Sequence, residues 1–452
     1  MTVMQTPPTD GAGAELAQRL RARTATVGVI GLGYVGLPLL ASAAGAGLNT
    51  LGFDIDPQKA EAIRAGRSYI EAVASSDLAA LVEAGTVDAT SDFAQLAACD
   101  VIVICVPTPL NRYREPDLSY VKGTARTIAA HARAGQLIIL ESTTYPGTTE
   151  EVMRPILESS GLTSGSDIFL GFSPEREDPG NTAFNTVTIP KVVAGDGPQS
   201  AALVETFYSA FVDKVVLVSS PSAAEAVKIT ENVFRAVNIA LVNELKVIYE
   251  AMGVDVWEVI DAAATKPFGY MPFYPGPGLG GHCIPIDPFY LTWKAREYDI
   301  STRFIELAGE INVTMPARVI AKLDAELDRR HNVPMSRSRV LLLGIAYKKN
   351  VSDVRESPSF KLLELMTARG VTVRYHDPHV PEIPQTREHA AFAGWTSVAL
   401  SAEEVAAADA VLIATDHSAV DYDLVVRHAR LIIDTRNAVR RAGLAAPQLV
   451  LA

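Results

Sequence analysis

The loop GGHCIPIDP, residues 280–288, places Cys283 between glycine residues and a proline, with Asp287 four positions further along. The density of Gly and Pro over residues 272–291 argues against a helix or a central strand around this cysteine. A thiolate attacks aldehyde carbons readily, so Cys283 is a candidate nucleophile. A rigid connector with an incidental thiol is an alternative, as is a metal site that uses His282. The metal site is the weaker alternative because the sequence offers no further ligand cluster.

Three more candidate groups precede this loop. Lys228 and Asn232 are four residues apart, so on a helix they face the same way. A cation and an amide donor on one face could stabilise an oxyanion at Cys283, whereas a solvated lysine beside a polar asparagine is the plainer alternative. Glu175 follows the strand-like run IFLGFS, and ligand groups collect at the carboxyl ends of strands in open α/β folds. The alternative for Glu175 is a surface carboxylate in a turn.

The segment TVGVIGLGYVG predicts a strand, a tight turn and the start of a helix. Gly31 would permit the turn, Gly33 would let the backbone approach a pyrophosphate, and Gly36 would let helix and strand pack closely. Asp54 ends a second predicted strand. A carboxylate there suits the ribose hydroxyls of NAD and would repel the 2′-phosphate of NADP, so the cofactor is predicted to be NAD.

Strands and helical stretches alternate in both halves of the chain. VIVICVPTP and LIILEST continue the first half, and SRVLLLGIAY, VTVRYHDP, ADAVLIATDHS and RLIIDTRN repeat the pattern. The fold class is therefore predicted to be α/β, with two Rossmann-like, doubly wound parallel-sheet domains joined by a long central helix. The later copy has only Gly344 in its first turn, so we expect it to bind another phosphate-bearing ligand and not a second dinucleotide.

Two stretches of the second half are suited to anions. Lys348, Lys349 and Arg355 follow its first strand, and Arg436 follows a later one. Phosphate contact is favoured over solvated surface charge because these side chains cluster at strand ends.

Composition excludes several classes of protein. The net charge of −12 argues against a general nucleic-acid binder. Three cysteines without CxxC spacing indicate neither a disulfide framework nor a zinc site, and Cys99 and Cys105 flank an apolar strand as expected for inert core residues. The N-terminal sequence lacks the apolar segment that is typical of a signal peptide, and no apolar run approaches the ~20 residues that span a bilayer. We expect a cytoplasmic protein with no membrane partner and no metal.

Eight ordered motifs from about residue 25 to about residue 440 resemble the UDP-glucose / UDP-N-acetylhexosamine 6-dehydrogenase family. They are GLGYVGLPL, VPTPL, ESTTYPGT, SPERE, KITENVFRAVNIALVNE, GPGLGGHCIPIDP, GIAYKKNVSDVRESPS and IIDTRN. The resemblance implies a four-electron oxidation that uses two NAD per UDP-sugar and a homodimer formed through the central helix. It also implies an NAD-binding domain (25–218), a central helical dimerisation domain (219–327) and a UDP-sugar-binding domain (338–452). Residues 1–24, which precede the first motif, are predicted to form a flexible N-terminal extension.

Motif matching assigns roles to individual residues. Cys283 matches the nucleophile, Lys228 and Asn232 the oxyanion-stabilising pair, and Glu175 the acid/base residue of thioester hydrolysis. Asp287 and Thr143 match residues that position or activate water. The positions on the cofactor side are Gly31, Gly33, Tyr34, Val35, Gly36, Asp54, Lys59, Pro107, Thr108, Thr143 and Arg355. The positions on the substrate side are Glu175, Arg176, Lys228, Asn232, Tyr274, Gly276, Gly280, Lys348 and Arg436.

The substrate branch depends on a departure within the SPERE motif. Relatives that oxidise UDP-glucose carry a second glutamate where this chain has Pro179, and SPERxxPG resembles the branch that handles 2-acetamido sugars. The motif wording is most similar to the UDP-N-acetylglucosamine 6-dehydrogenases of surface-polysaccharide pathways, with UDP-N-acetylmannosamine or UDP-glucose as alternative substrates. Two other classes are a two-electron dehydrogenase, which needs no thiol, and a non-catalytic nucleotide-sugar-binding protein. Neither of these would need Cys283, Lys228 and Glu175 together.

Overall fold

A computed structural model of the chain describes residues 11–70, 72–111, 113, 115–177, 184–281, 284–386 and 389–452. The described residues form two compact units. The first contains the residues up to Glu231 together with 289–300, and the second contains 232–288 and 301–452. The division falls within one long helix. Among the described residues, no helix has both the length and the apolar character needed to cross a membrane.

The first unit is built on an eight-stranded sheet with the order β3-β2-β1-β4-β5-β6-β7-β8. Its strands are β1 (Thr26–Ile30), β2 (Asn49–Phe53), β3 (Val87–Thr90), β4 (Val101–Ile104), β5 (Leu137–Leu140), β6 (Phe169–Phe172), β7 (Lys191–Gly195) and β8 (Val215–Leu217). Only the β6–β7 pair is antiparallel among these strands. β1 pairs with β2 on one side and with β4 on the other, so the strands after β3 are added on the opposite side of β1 from β2 and β3. This strand order is the doubly wound pattern.

Helices cover this sheet with two separate apolar cores. They are α1 (Gly11–Arg21), α2 (Gly36–Gly45), α3 (Pro57–Arg64), α4 (Ser75–Glu83), α5 (Ser119–His131), α6 (Arg154–Glu158) and α7 (Pro198–Tyr208). A short π-helix, Thr148–Met153, precedes α6.

The prediction of a flexible extension over residues 1–24 is wrong for the part that the structure describes. Residues 11–21 form α1, and Leu16, Ala17 and Leu20 are buried in one core of the first unit. Their spacing puts all three on one face of the helix, which therefore packs against the domain. Residues 1–10 lie outside the described residues.

The predicted long helix is confirmed as α8 (Pro221–Ala251), which has 31 residues. It is followed by α9 (Val256–Ala264), α10 (Asp287–Ala295) and α11 (Arg303–His331). α10 begins at Asp287, so this aspartate opens a helix at the end of the cysteine loop.

The second unit contains a parallel sheet with the order β10-β9-β11-β12-β13, and this order repeats β2-β1-β4-β5-β6 of the first. Its strands are β9 (Arg339–Leu343), β10 (Thr372–His376), β11 (Ala410–Ile413), β12 (Ile432–Asp434) and β13 (Leu449–Leu451). The remaining helices are α12 (Pro358–Thr367), α13 (Ala402–Ala407), α14 (Tyr422–His428) and α15 (Ala438–Arg441). The predicted pair of Rossmann-like sheets is therefore confirmed.

The polar segment 326–338, which joins the central domain and the UDP-sugar-binding domain predicted from the sequence, lies within the second unit. Val319, Ile320 and Leu323 of α11 are buried in the same core as Leu342 of β9. The exposed face of α11 supplies the polar residues, while its apolar face packs within the second unit.

Candidate active site

The glycine-rich turn after β1 has the geometry that a dinucleotide pyrophosphate requires. Gly31 has a φ of +91°, and a Cβ there would lie 2.5 Å from the carbonyl oxygen of Cys105. A Cβ on Gly36 would overlap the carbonyl oxygen of Gly31. No described heavy atom lies within 4 Å of a Cβ built on Gly33, so the turn is open on that side. Tyr34, the next residue, is likewise exposed, and α2 begins two residues later at Gly36.

Asp54 follows β2 and is bound to this turn. Its Oδ2 accepts hydrogen bonds from the Leu32 N–H and the Lys59 Nζ, both at 3.0 Å. Its Oδ1 accepts from the Asp56 N–H at 3.0 Å. The buried Asp54 and the partly exposed Lys59 thus form one ion pair beside the glycine turn, as a ribose-binding carboxylate would need.

Lys228 and Glu175 are brought together although they are 53 residues apart in the chain. The Lys228 Nζ donates to the Glu175 carbonyl oxygen at 2.5 Å and pairs with its Oε2 at 3.1 Å. Lys228 is only 4% exposed, so it is not the solvated lysine of the plainer alternative. Glu175 lies just beyond β6, at the predicted strand end, and its Oε1 also accepts the Glu177 N–H.

The other predicted residues of the first unit are less closely grouped. Thr143 is half-buried in the loop after β5, and Pro107 is exposed after β4. Thr108 is buried, and its carbonyl oxygen accepts the hydroxyl of the fully buried Tyr290. The Arg176 Nη2 donates to Glu231 at 2.5 Å and its Nη1 donates to the Pro190 carbonyl oxygen at 2.6 Å, so these two contacts hold the guanidinium in place.

Glu225 is a buried carboxylate that the sequence did not single out. It lies one turn before Lys228 on α8 and is fully buried. It accepts the N–H groups of Gly147 at 2.5 Å and Thr149 at 2.9 Å, as well as the Thr149 hydroxyl at 2.7 Å. Burial raises its pKa to about 7 despite these three bonds. Glu225 therefore fastens α8 to the loop that carries Thr143.

In the second unit, Asn232 and Asp287 form a buried pair. The Asn232 Nδ2 donates to the Asp287 carboxylate, and its Oδ1 accepts from Arg235. These bonds fix which end of the amide faces Asp287. His282, Cys283 and Pro179 lie outside the described residues.

The glycine-rich part of the cysteine loop lies against Arg436. The Gly276 N–H donates to Asn243 Oδ1 at 3.0 Å, and a Cβ on Gly276 would lie 2.7 Å from Arg436 Nη1. The Arg436 Nε donates to the Ala414 carbonyl oxygen at 3.0 Å, and burial lowers the pKa of this guanidinium. Gly276 and Arg436, two of the predicted substrate contacts, are thus adjacent.

Tyr274 has its side chain committed elsewhere. Its hydroxyl donates to Asp261 at 2.7 Å, and its ring stacks on Trp257 with centroids 5.6 Å apart. The Arg441 guanidinium lies over the Tyr274 ring at 4.3 Å. A substrate contact from Tyr274 would therefore come from its backbone.

The loop between β9 and α12 carries the two remaining predicted residues. Lys348 is half-buried there. The Arg355 Nη2 pairs with Asp353 Oδ2 at 2.6 Å. A Cβ on Gly280 would lie 3.0 Å from both Tyr347 and Pro358, so this loop packs closely on the predicted substrate segment.

Of the other two cysteines, Cys99 is buried in an apolar core and Cys105 is partly buried against one. Burial, with Asp100 nearby, raises the pKa of Cys99 to about 12, and burial raises the pKa of Cys105 well above its usual value. Both thiols are therefore protonated near neutral pH and unsuited to nucleophilic attack.

Three family models match consecutive parts of the chain. They describe the NAD-binding domain (25–212), the central domain (222–314) and the UDP-binding domain (341–441) of the UDP-glucose/GDP-mannose dehydrogenase family.

Characterised relatives align over most of the chain. A UDP-N-acetyl-D-glucosamine 6-dehydrogenase from Pseudomonas aeruginosa is 37% identical over 87% of this chain and 90% of its own length. A UDP-N-acetyl-D-mannosamine dehydrogenase from Pyrococcus horikoshii is 35% identical over 92% of this chain and 96% of its own length.

Two solved structures share the fold over nearly the whole chain. The UDP-D-ManNAc dehydrogenase of Pyrococcus horikoshii superimposes with a TM-score of 0.84 and 33% identity, covering 94% of this chain and 98% of the other. A UDP-glucose dehydrogenase from Pyrobaculum islandicum gives a TM-score of 0.81 and 27% identity, covering 93% and 96% of the two chains.

Proposed function

Because this chain belongs to the UDP-glucose/GDP-mannose dehydrogenase family and is an NAD-dependent oxidoreductase, we propose that it oxidises C6 of a UDP-N-acetylhexosamine to the uronic acid. UDP-N-acetylglucosamine is the first candidate substrate, and UDP-N-acetylmannosamine is the second. The observation that carries the oxidation chemistry is the buried Lys228–Glu175 pair at the carboxyl end of β6. A surface-polysaccharide precursor is the expected product.

The choice of sugar rests on the relatives and on one sequence feature. Relatives named for 2-acetamido sugars align at 35–37% identity over most of this chain. Pro179 stands where the UDP-glucose branch carries a second glutamate. Both observations favour an acetamido group at C2 of the sugar.

The cofactor site is proposed at the Gly31–Gly36 turn with Asp54. The open space at Gly33 supports a pyrophosphate there, and the Asp54–Lys59 pair lies beside the turn, where we expect a ribose. NAD, when bound, accepts a hydride, and one NAD is consumed in each of the two oxidations.

In the first oxidation the C6 alcohol loses a hydride and a proton and becomes an aldehyde. Cys283, as the thiolate, then forms an S–C bond to C6, and the carbonyl oxygen takes up a proton to give a thiohemiacetal. We assign Lys228 and Asn232 to the oxyanion that develops during this addition. Lys228 is suited to the task because it is buried and held in place by Glu175.

In the second oxidation the thiohemiacetal loses a hydride and a proton and becomes a thioester. Water then adds to the thioester carbon, the C–S bond breaks, and the uronic acid and the Cys283 thiol are released. Glu175 and Asp287 are the two carboxylates proposed to activate this water. Glu175 pairs with Lys228 and Asp287 accepts from Asn232, so each carboxylate is bound to one member of the oxyanion-stabilising pair.

The decisive experiment for this mechanism is Cys283→Ser. A serine ester would form and hydrolyse slowly at best, so we expect no uronic acid at the normal rate while NAD binding persists. NADH formed per sugar consumed and intact mass should be measured, with Cys99→Ser as a thiol control outside the proposed chemistry. Uronic acid production by Cys283→Ser at the unmodified rate would exclude the covalent route.

The substrate assignment is tested with a panel of UDP-sugars. We expect kcat/KM for UDP-N-acetylglucosamine to exceed that for UDP-glucose, with two NADH formed per sugar. A ratio of one NADH per sugar would instead indicate a two-electron dehydrogenase. A UDP-glucose value above that of every acetamido sugar would reject the substrate branch.

A homodimer through α8 is proposed from an exposed apolar face. Phe234, Leu241 and Ile248 recur every seven residues and are 45–49% exposed. Residues at this spacing share one face of a helix, and a second copy of α8 would cover it. Leu241→Glu should lower the mass measured by light scattering, whereas Glu83→Gln, at an exposed position of α4, should not. An unchanged mass in Leu241→Glu would place the interface elsewhere.

A further inference from the structure

Lys246, in the second unit, is a largely buried lysine with no acidic partner among the described residues. Only 7% of this residue is exposed. No hydrogen bond or ion pair to its ammonium group occurs among the residues that the structure describes. Its Nζ is not among the fully buried polar atoms that lack a hydrogen-bond partner, so the ammonium group keeps some access to solvent and to a ligand while the aliphatic part of the side chain is buried.

On α8, Lys246 lies between two residues that contact other parts of the second unit, Asn243 and Glu250. One turn earlier, Asn243 accepts the Gly276 N–H at 3.0 Å, and Gly276 lies against Arg436. One turn later, Glu250 pairs with Lys322. Residues three and four apart on a helix share a face, so Lys246 lies on the side of α8 that contacts the Gly276 segment.

Charges of both signs surround Lys246. Burial is the main reason why its pKa is lowered to about 8; Lys322 and Arg436 also lower the pKa, whereas Glu250 and Asp434 raise it. The two acidic groups are already committed, since Glu250 pairs with Lys322 and the Asp434 carboxylate accepts the N–H groups of Arg436 and Val439.

We propose that Lys246 is a substrate-binding residue that donates to an acceptor oxygen of the nucleoside diphosphate beside Gly276 and Arg436. This inference rests on the proposed function, because it takes the ligand to be the UDP part of the substrate. A lysine with a purely structural role in this position would be expected to have an acidic partner. Within the part of the chain that the structure describes, Lys246 has no such partner, which leaves its ammonium group to an anionic ligand.

The test compares Lys246→Met with Lys322→Met, which removes a nearby lysine that is already paired with Glu250. The UDP dissociation constant is measured by calorimetry, the KM values by NADH formation, and the Tm without ligand. For Lys246→Met we expect the UDP dissociation constant and the UDP-sugar KM to rise about 10- to 100-fold, as for a lost hydrogen bond from a charged donor. The KM for NAD should stay unchanged.

The Tm separates a binding role from a structural one. Removing an unpartnered buried charge should leave the Tm of Lys246→Met unchanged or raise it, and Lys246→Arg should retain part of the affinity for UDP. Lys322→Met should bind UDP within about twofold of the unmodified protein, since its ammonium is taken up by Glu250. Unchanged UDP binding in Lys246→Met, or a lower Tm with unchanged binding, would overturn the inference.

A second nucleotide keeps this inference distinct from the proposed function. If the unmodified protein binds GDP and not UDP, and Lys246→Met weakens GDP binding, then the UDP-sugar assignment fails and the role of Lys246 stands. If the unmodified protein binds neither nucleotide, the role of Lys246 fails as well.

Discussion

Gly31 and Gly344 follow the first strand of the two sheets, and both have positive φ values, +91° and +87°. The next residue in each turn donates its N–H to an aspartate at the end of the second strand. Leu32 donates to Asp54 at 3.0 Å, and Ile345 donates to Asp377 at 2.8 Å. Up to this point the two turns are built alike.

The residue two positions after each glycine separates the two halves. A Cβ on Gly33 would meet no described atom within 4 Å, so the first turn is open. Its counterpart Ala346 is fully buried, donates its N–H to Asp377 at 3.0 Å and accepts the Thr415 hydroxyl at 2.7 Å. The first turn thus leaves room for a ligand, whereas the second turn satisfies its own backbone.

The helix after each turn shows the same contrast. In the first half Gly36 packs so closely on the Gly31 carbonyl that no side chain fits. In the second half the Ser359 hydroxyl donates to the Gly344 carbonyl at 2.9 Å. A side-chain hydrogen bond therefore joins the helix to the turn in the second half, whereas close backbone contact joins them in the first half.

The aspartates also differ in their cationic or polar partner. Asp54 pairs with the partly exposed Lys59, whereas Asp377 accepts the Nε2 of the fully buried His417 at 3.0 Å. The Nδ1 of His417 accepts the Asn350 N–H at 2.9 Å, so His417 holds the loop that carries Lys348. Asp54 therefore has a partly exposed partner beside an open turn, whereas Asp377 has a fully buried partner that organises a loop.

The largest effect that follows from this contrast is on stability in Asp377→Ala. Its carboxylate accepts from Ile345, Ala346, His379, Val380 and His417. Removing it leaves these buried donors unsatisfied, so we expect the free energy of unfolding to fall by about 3–5 kcal/mol. The loss in unfolding free energy should be measured by urea unfolding, with Asp54→Ala, at the corresponding position of the first sheet, as the matched variant. An equal loss in both variants would contradict the contrast.

The pH dependence of stability should distinguish two buried carboxylates, one in each half. Burial raises the pKa of Glu225 to about 7, so the folded state binds its proton more tightly than the unfolded state does. The free energy of unfolding should therefore fall as pH rises from about 4.5 to about 7, by at most about 3 kcal/mol.

The contribution of Asp377 to stability changes with pH in the opposite direction. Burial alone would raise the pKa of Asp377, but the hydrogen bonds from His417 and the backbone hold the pKa below its usual value. The stabilisation from Asp377 is therefore present at neutral pH, and it is lost as pH falls below the usual pKa of an aspartate and through the lowered pKa in the folded protein.

Glu225→Gln isolates the first of these two effects. The decrease in unfolding free energy between about pH 5 and about pH 8 should become smaller in this variant. Glu244→Gln, at an exposed position of the same helix, should leave it unchanged. If the decrease is the same in Glu225→Gln as in the unmodified protein, then Glu225 is ionised throughout this range.

The fold was predictable because it depends on patterns within short segments. Apolar runs, the Gly31–Gly36 spacing and the uninterrupted stretch around Lys228 all report local periodicity, and the structure confirms the sheets and α8. The Lys228–Glu175 contact joins residues that are 53 positions apart, and no spacing predicts such a distance. Each partner was nevertheless identifiable as a candidate from its own segment.

The residues that the sequence did not reveal are single polar groups inside α8. Glu225 and Lys246 look like the exposed charges of an amphipathic helix, and only tertiary packing shows that both are buried. Helix α1 was missed for a related reason. Its apolar face is small, and the polar, proline-containing residues before it resemble a tail.

The smallest expected effect is a change in cofactor preference in Asp54→Ala. In the unmodified protein the carboxylate would accept from a ribose hydroxyl and repel a 2′-phosphate, so NAD should be preferred to NADP. The substitution removes that acceptor and releases Lys59, whose Nζ is bound to Asp54 at 3.0 Å and could then face a phosphate. We expect the ratio of kcat/KM for NAD to that for NADP to fall by a factor that corresponds to roughly 1–3 kcal/mol.

Asp56→Ala is the matched control for this prediction. The Asp56 carboxylate caps α3 by accepting the Gln58 N–H and does not bind the glycine turn. Two outcomes would contradict this prediction: equal turnover of NAD and NADP by the unmodified protein, or an unchanged ratio in Asp54→Ala. Either would mean that the first unit recognises its cofactor through groups other than Asp54.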